Sequence, residues 1–110
     1  MLYAKVVLGL PIAGPFDYEV PPEFIAQAKI GMRVVVNFSH RKMIGYIIGL
    51  ARKSTITQVK PLLRLIDKLP ILDKNMLALT SQLSEYYCCS WGEAIETAIP
   101  EFLRKGKKID

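Results

Sequence analysis

The strongest constraint on this chain is a change of period partway along it. Apolar residues alternate singly through Leu2, Ala4, Val6 and Leu8, then through Phe16, Tyr18 and Val20, then through Met32, Val34, Val36 and Phe38. A repeat of two puts alternate side chains on one face of a strand, with Arg33 and Asn37 on the other face of the third run. Residues 43–51 read as a long apolar strand, and residues 62–66 as a last one that Pro61 suits at its start, since proline has no N–H to donate. Beyond Asp67 the repeat becomes three and four. Met76, Leu79, Leu83, Tyr86 and Tyr87 form the stripe of a helix capped by Asp73. Ser90-Trp91-Gly92-Glu93 fits the reciprocal cap of a second helix, running through Ala94, Ile95 and Ala98 until Pro100 ends it.

The breaks between these runs set the expected topology. Gly9, Pro11, Gly14 and Pro15 interrupt the first pair of strands, Pro21-Pro22 stops the second, and residues 23–31 have room for one helical turn. Ser39-His40-Arg41-Lys42 reads as a four-residue polar hairpin link. Gly45 and Gly49, placed on one face of the long strand, would let a small sheet bend sharply. The prediction is an α+β chain, mainly β: an OB-like curled sheet or barrel of about five to six strands followed by two short C-terminal helices.

Several function classes are excluded or disfavoured. With 110 residues the chain can bury one core, and 51% apolar against 23% charged residues place it among globular chains. Its longest apolar stretch is well short of the roughly 18 residues of a membrane span, and the N-terminus does not read as a signal peptide, so a reducing, cytoplasmic setting without membrane contact is expected. Adjacent Cys88 and Cys89 make neither a disulfide framework nor a spaced metal site, and are expected to pack as small hydrophobes. His40, the single histidine, reads as a solvated turn residue. No phosphate-cradling glycine loop occurs, so the chain is not an ATPase by itself. Asp17, Glu19 and Glu23 read as surface charge around a turn rather than as a catalytic pair.

The net charge of +5 is unevenly spread. No acidic residue lies between Glu23 and Asp67, an interval that holds Lys29, Arg33, Arg41, Lys42, Arg52, Lys53, Lys60 and Arg64. Residues 67–101 are mainly acidic, and Arg104, Lys105, Lys107 and Lys108 are basic again. A surface so divided attracts polyanions, nucleic acid foremost, or merely keeps the domain soluble. Arg41 and Lys42 are candidates for backbone phosphate. The segment Gly14-Pro15-Phe16-Asp17-Tyr18 admits two readings. It delivers an aromatic face for stacking a base and a carboxylate that accepts from a donor such as a free hydroxyl. Alternatively Phe16 and Tyr18 are core and Asp17 caps a turn. Trp91 and the Tyr86-Tyr87 pair read as core packing.

Taken in order, these residues resemble a known family. The run Phe16-Asp17-Tyr18, Pro21, Gly31-x-Arg33-Val34-x-Val36-x-Phe38, Gly45, Lys60-Pro61, Asp67, Pro70, Tyr86-Tyr87, Gly92 and Pro100 with Leu103-Arg104 is similar to the N-terminal 3′-end DNA-binding domain of the replication restart helicases, the primosomal protein N′ or PriA family. The resemblance implies that residues 1–104 are one 3′-end-binding domain and 105–110 a polar tail or the start of a linker to missing domains. It also implies recognition of the nascent leading strand's 3′ end at stalled or repaired forks. Phe16, Asp17 and Tyr18 would form the terminal-nucleotide pocket, with Asp17 accepting from the 3′-hydroxyl and the base. The loop at Ser39, where the family commonly has glycine, would close the pocket, and Lys60 would hold the nucleotide or its phosphate. By the same resemblance this stretch is a non-enzymatic fragment of an ATP-dependent 3′–5′ helicase. The full-length protein would carry ATP, magnesium and zinc, meet single-stranded DNA-binding protein and other primosome proteins, and work in the bacterial cytoplasm at the nucleoid. The alternatives are a protein-docking or interdomain scaffold barrel without end-specific DNA binding, and a barrel for structured RNA.

Overall fold

A computed structural model describes residues 1–54 and 58–99. Among these residues five strands precede two α-helices: β1 (Tyr3–Leu8), β2 (Phe16–Glu19), β3 (Arg33–Phe38), β4 (Arg41–Ala51), β5 (Arg64–Leu65), α1 (Lys74–Tyr87) and α2 (Trp91–Ala98), with one 3-10 turn at Pro22–Phe24. The strands pair antiparallel in the order β2-β1-β4-β3-β5. An open sheet of this kind would leave β2 and β5 as edges, and unpaired edges invite aggregation. Residues 60–66 join the two ends of the sheet at Glu19. Glu19 donates to the Lys60 carbonyl at 2.9 Å and Leu62 to the Glu19 carbonyl at 3.0 Å; Leu63 then donates to Val35 at 2.7 Å and Ile66 to Arg33 at 2.9 Å. One segment thus bonds β2 in parallel and β3 in antiparallel fashion, and the sheet closes into a small barrel. The expected strand over 62–66 is accordingly only two residues long, because its first part turns to meet β2.

The alternating residues fill the barrel. Ala4, Val6, Met32, Val34, Val36 and Ile47 are fully buried, with Leu2, Leu8, Val20 and Leu62 among them. Each such aliphatic side chain contributes about 1.5–3 kcal/mol relative to exposure. Phe38 ends its run half-buried against this core. The opposite faces of β1 and β4 carry Val7 and Tyr46, which pack with Leu72, Ile95 and Ile99 in a second layer beneath the helices. Gly92 permits this approach: a Cβ there would lie 1.7 Å from the Leu8 carbonyl oxygen. The Tyr46 hydroxyl donates to Glu96 at 3.2 Å, and burial, with that carboxylate beside it, pushes its pKa far above the ordinary value.

Four expectations are corrected. The β3–β4 link is a two-residue turn, Ser39-His40, with φ of +52° and +64°, the left-handed pair that matches strand twist. Arg41 and Lys42 therefore belong to β4, opposite Phe38 and Asn37. Gly45 and Gly49 face opposite sides of the sheet. A bulge between Lys5 and Val6 of β1 consumes an extra β4 residue, so Gly45 sits against Val6 and Leu8 of the core and Gly49 against the Lys5 stem outside. Tyr86, Tyr87 and Leu79 are 78%, 67% and 54% exposed rather than core. The helix buries Thr80, with Met76 and Leu77 partly buried, because α1 packs chiefly on α2, which in turn packs on β1. Trp91 does pack there, donating its indole N–H to Thr80 at 3.0 Å. Cys88 is exposed as the left-handed cap of α1, and Cys89 is half-buried.

One buried pair carried no signal in the sequence. Asp67, 3% exposed at its side chain, accepts from the Arg33 backbone N–H at 2.9 Å and from its guanidinium at 2.7 and 3.0 Å. The carboxylate raises the Arg33 pKa further and ties the end of the closing segment to the start of β3.

Candidate nucleic-acid interface

Where residues 58–60 approach β2, the barrel seam carries a cleft of about 480 Å³. Two strand ends supply its aromatic wall. Phe16 opens β2 and Phe38 closes β3, and their rings lie 5.2 Å apart at 54°. Tyr18 supports them from below: it is buried, its hydroxyl donates to the Asn37 carbonyl at 2.8 Å, and burial raises its pKa, so it remains a neutral donor. Its ring belongs to the core and also lines the cleft.

The carboxylate is the most organised group in the cleft. Asp17 is in β2, directly opposite Lys5 of β1, rather than capping a turn. Lys5 Nζ donates to Oδ1 at 2.9 Å and Ser54 Oγ to Oδ2 at 2.5 Å. The Ser54 hydroxyl foremost, then Lys5, holds the carboxyl below its ordinary 3.8, so Asp17 is ionised at neutral pH. Its side chain is 7% exposed and that of Lys5 36%. A carboxylate offers about four lone-pair directions, and two donors leave capacity for a ligand.

Asn37, Ser39, Gln58 and Lys60 complete the polar rim. All of Phe16, Asp17, Tyr18, Ser39 and Lys60 thus meet in one cleft, although three different parts of the chain supply them. Arg41 and Lys42 do not line it; they are exposed on β4 beside the hairpin turn. Lys5, Phe38, Asn37, Gln58 and Ser54 were not singled out from sequence as site residues. Phe38 carried a usable signal, an aromatic ending a strand beside a polar turn. The pairing of Lys5 with Asp17 depends on β1–β2 register and carried none.

Among the described residues no group of three or more His, Cys, Asp or Glu side chains could hold a metal ion. No helix among them is long and apolar enough to cross a membrane.

Fold and cleft together define a small closed-barrel domain whose seam carries an aromatic, carboxylate-bearing cleft. The chain belongs to the 3′ DNA-binding domain (3′BD) family of PriA, whose model matches residues 5–100. It is 30% identical over 109 residues to the replication restart protein PriA of Bacillus subtilis (strain 168), covering 94% of this chain and 14% of that protein. Identity to the proteins of the same name is 25% over 109 residues in Treponema pallidum (strain Nichols), covering 94% of this chain and 17% of that one. It is 29% over 109 residues in Haemophilus influenzae, covering 97% and 15%. The chain therefore spans a small part of these relatives' length. Membership in this family does not favour a scaffold barrel without DNA binding.

Proposed function

We propose that the cleft receives the last nucleotide of a DNA strand that ends in a free 3′-hydroxyl. The observation that carries this reading is the ionised Asp17 carboxylate, restrained by Lys5 and Ser54 beside the Phe16–Phe38 rings. A base stacked on that wall gains about 1–3 kcal/mol. A terminal hydroxyl donating to Asp17 adds about 1.5–3 kcal/mol, the range for bonds to a charged group. Lys60, Asn37 and Gln58 line the same cleft; in this reading Lys60 would meet the preceding phosphodiester, and Asn37 and Gln58 the base edge. Arg41 and Lys42 would contact phosphates further along, adding salt-dependent, sequence-independent affinity. A 3′-phosphate in the same position would set like charge against Asp17.

In this reading the domain, residues 1–104, contributes recognition and no chemistry, and marks the nascent leading-strand end at a stalled or repaired fork. The boundary at 104/105 and the tail 105–110 fall outside the described residues. The rest of a longer chain would supply the ATP-dependent helicase that restarts replication, its ATP, magnesium and zinc, and the contacts to single-stranded DNA-binding protein and other primosome proteins. The working place would be the cytoplasm, at the nucleoid.

The test is fluorescence anisotropy with a 5′-labelled single strand ending in either 3′-hydroxyl or 3′-phosphate, at one fixed salt concentration. The hydroxyl end should bind roughly tenfold more tightly, the equivalent of about 1.4 kcal/mol. Equal affinities would sink end recognition, and tight binding of an RNA hairpin whatever its end would favour the structured-RNA reading instead.

A further inference from the structure

Of the two ion pairs among the described residues, Arg33–Asp67 ties the barrel closed, whereas Lys5–Asp17 lies in the cleft itself. Lys5 reaches Asp17 across directly paired strands, with a distance of 2.9 Å. On its other flank the β4 bulge presents Gly49, where even an added Cβ would stand 3.4 Å from Lys5 Cγ. The lysine stem therefore runs over a position without a side chain and ends on the carboxylate. Lys60 lines the same cleft and has no ion-pair partner among the described residues.

The formal charge of the three groups is +1, from Lys5 and Lys60 against Asp17. Deleting the carboxylate alone makes it +2 and leaves two ammonium groups facing whatever enters. We propose that Lys5 determines which end group the cleft accepts. Bonded to Asp17, its ammonium is committed and the pair presents a hydrogen-bond acceptor to a terminal hydroxyl. Released from Asp17, it joins Lys60 in a cationic seat for a terminal phosphate. This inference rests on the reading of the cleft as a 3′-end site.

The experiment measures both end groups, 3′-hydroxyl and 3′-phosphate, on the 110-residue chain and on Asp17→Asn, Lys5→Met, Lys5→Arg and the Asp17→Asn/Lys5→Met double variant. The parent should prefer hydroxyl. Asp17→Asn should reverse the preference, binding the phosphate end several-fold more tightly, since a unit charge gained near a surface site changes affinity by roughly tenfold or less after screening. The double variant should lose the phosphate preference, and Lys5→Arg should keep the parent's ratio. Lys5→Met should weaken hydroxyl binding and reject phosphate more strongly, because Asp17 is then neither restrained nor neutralised. A purely structural role for Lys5 would lower both affinities together and leave their ratio unmoved. Circular dichroism establishes that each variant is folded, and Asp17→Ser serves as the second carboxylate deletion. If the parent shows no end preference, the 3′-end reading falls and takes this inference with it. If the parent prefers hydroxyl but Asp17→Asn does not reverse the preference, or if the double variant retains it, the role of Lys5 alone is overturned.

Discussion

Replacing Asp67 with alanine should cost this domain about 3 kcal/mol, and the cost should reach the cleft. Breaking a buried ion pair by removing one partner typically costs about 3–5 kcal/mol. Two features decide where in that range this pair lies. Arg33 is 21% exposed at its side chain, so its guanidinium can turn toward water once abandoned, which lowers the cost. Its backbone N–H, which donates to Asp67 at 2.9 Å, has no such freedom, and an unsatisfied buried donor costs about 1–3 kcal/mol by itself. The midpoint of thermal unfolding should fall by about 12–24 °C, at roughly 4–8 °C per kcal/mol for a domain of this size. Asp67→Asn keeps an acceptor for the backbone N–H and should lose about half as much. Urea unfolding followed by fluorescence measures this directly, because Trp91 is the one tryptophan and sits between the helices and the barrel. Below the transition, the alanine variant should also bind a 3′-hydroxyl strand more weakly, since the segment that Asp67 anchors carries Lys60. A loss under about 1 kcal/mol with unchanged denaturant dependence is what an exposed surface pair gives, and it would refute this account of barrel closure.

Other perturbations follow from single contacts. Asp17 titrates below 3.8 in the folded chain, so its contribution to stability is present at higher pH and is lost as pH falls through that lowered value. The stability difference between parent and Asp17→Asn should therefore be flat from pH 8 to about 5 and shrink only below about pH 4; shrinkage already at pH 6 would contradict the bonds to Ser54 and Lys5. Ser39 has φ of +52°, so Ser39→Gly should raise stability by about 0.5 kcal/mol, the left-handed penalty less glycine's added chain entropy. A drop instead would mean that the serine side chain is itself stabilising. Gly92→Ala places a methyl 1.7 Å from the Leu8 carbonyl oxygen, and should displace α2 at a cost of about 2 kcal/mol or more. An unchanged Trp91 emission spectrum and unfolding midpoint would show that α2 does not press on β1.

The cleft illustrates how much of a site can be read before its fold is known. Phe16, Asp17 and Tyr18 stand out because a proline-containing loop hands an aromatic and a carboxylate to the start of an alternating run. What each residue does was not legible. Tyr18 is at once core and cleft wall, and Asp17 answers to two donors, one 12 and one 37 residues away. The helices show the opposite case. The caps at Asp73 and Ser90 form as read, each accepting from the backbone N–H of its helix, at 2.8 and 3.1 Å. The stripe of α1 misleads, since apolar spacing marks a face without saying how much of it a neighbour covers, and Leu79, Tyr86 and Tyr87 stay exposed.

The sequence by itself determined the period of each segment, its caps and breaks, the inward residues of the barrel strands, and the order of residues that places the chain in its family. These are short-range properties, set by backbone sterics and by side chains within a turn or two of one another. Only the tertiary structure decided that residues 60–66 close the barrel, that a bulge sends Gly45 and Gly49 to opposite faces, that Asp67 finds Arg33, and that Lys5 stands opposite Asp17. Each of these is a matter of register between segments far apart in the chain. A shift of one residue exchanges the two faces of a strand, so register is chosen by the summed packing of both faces and not by any local preference.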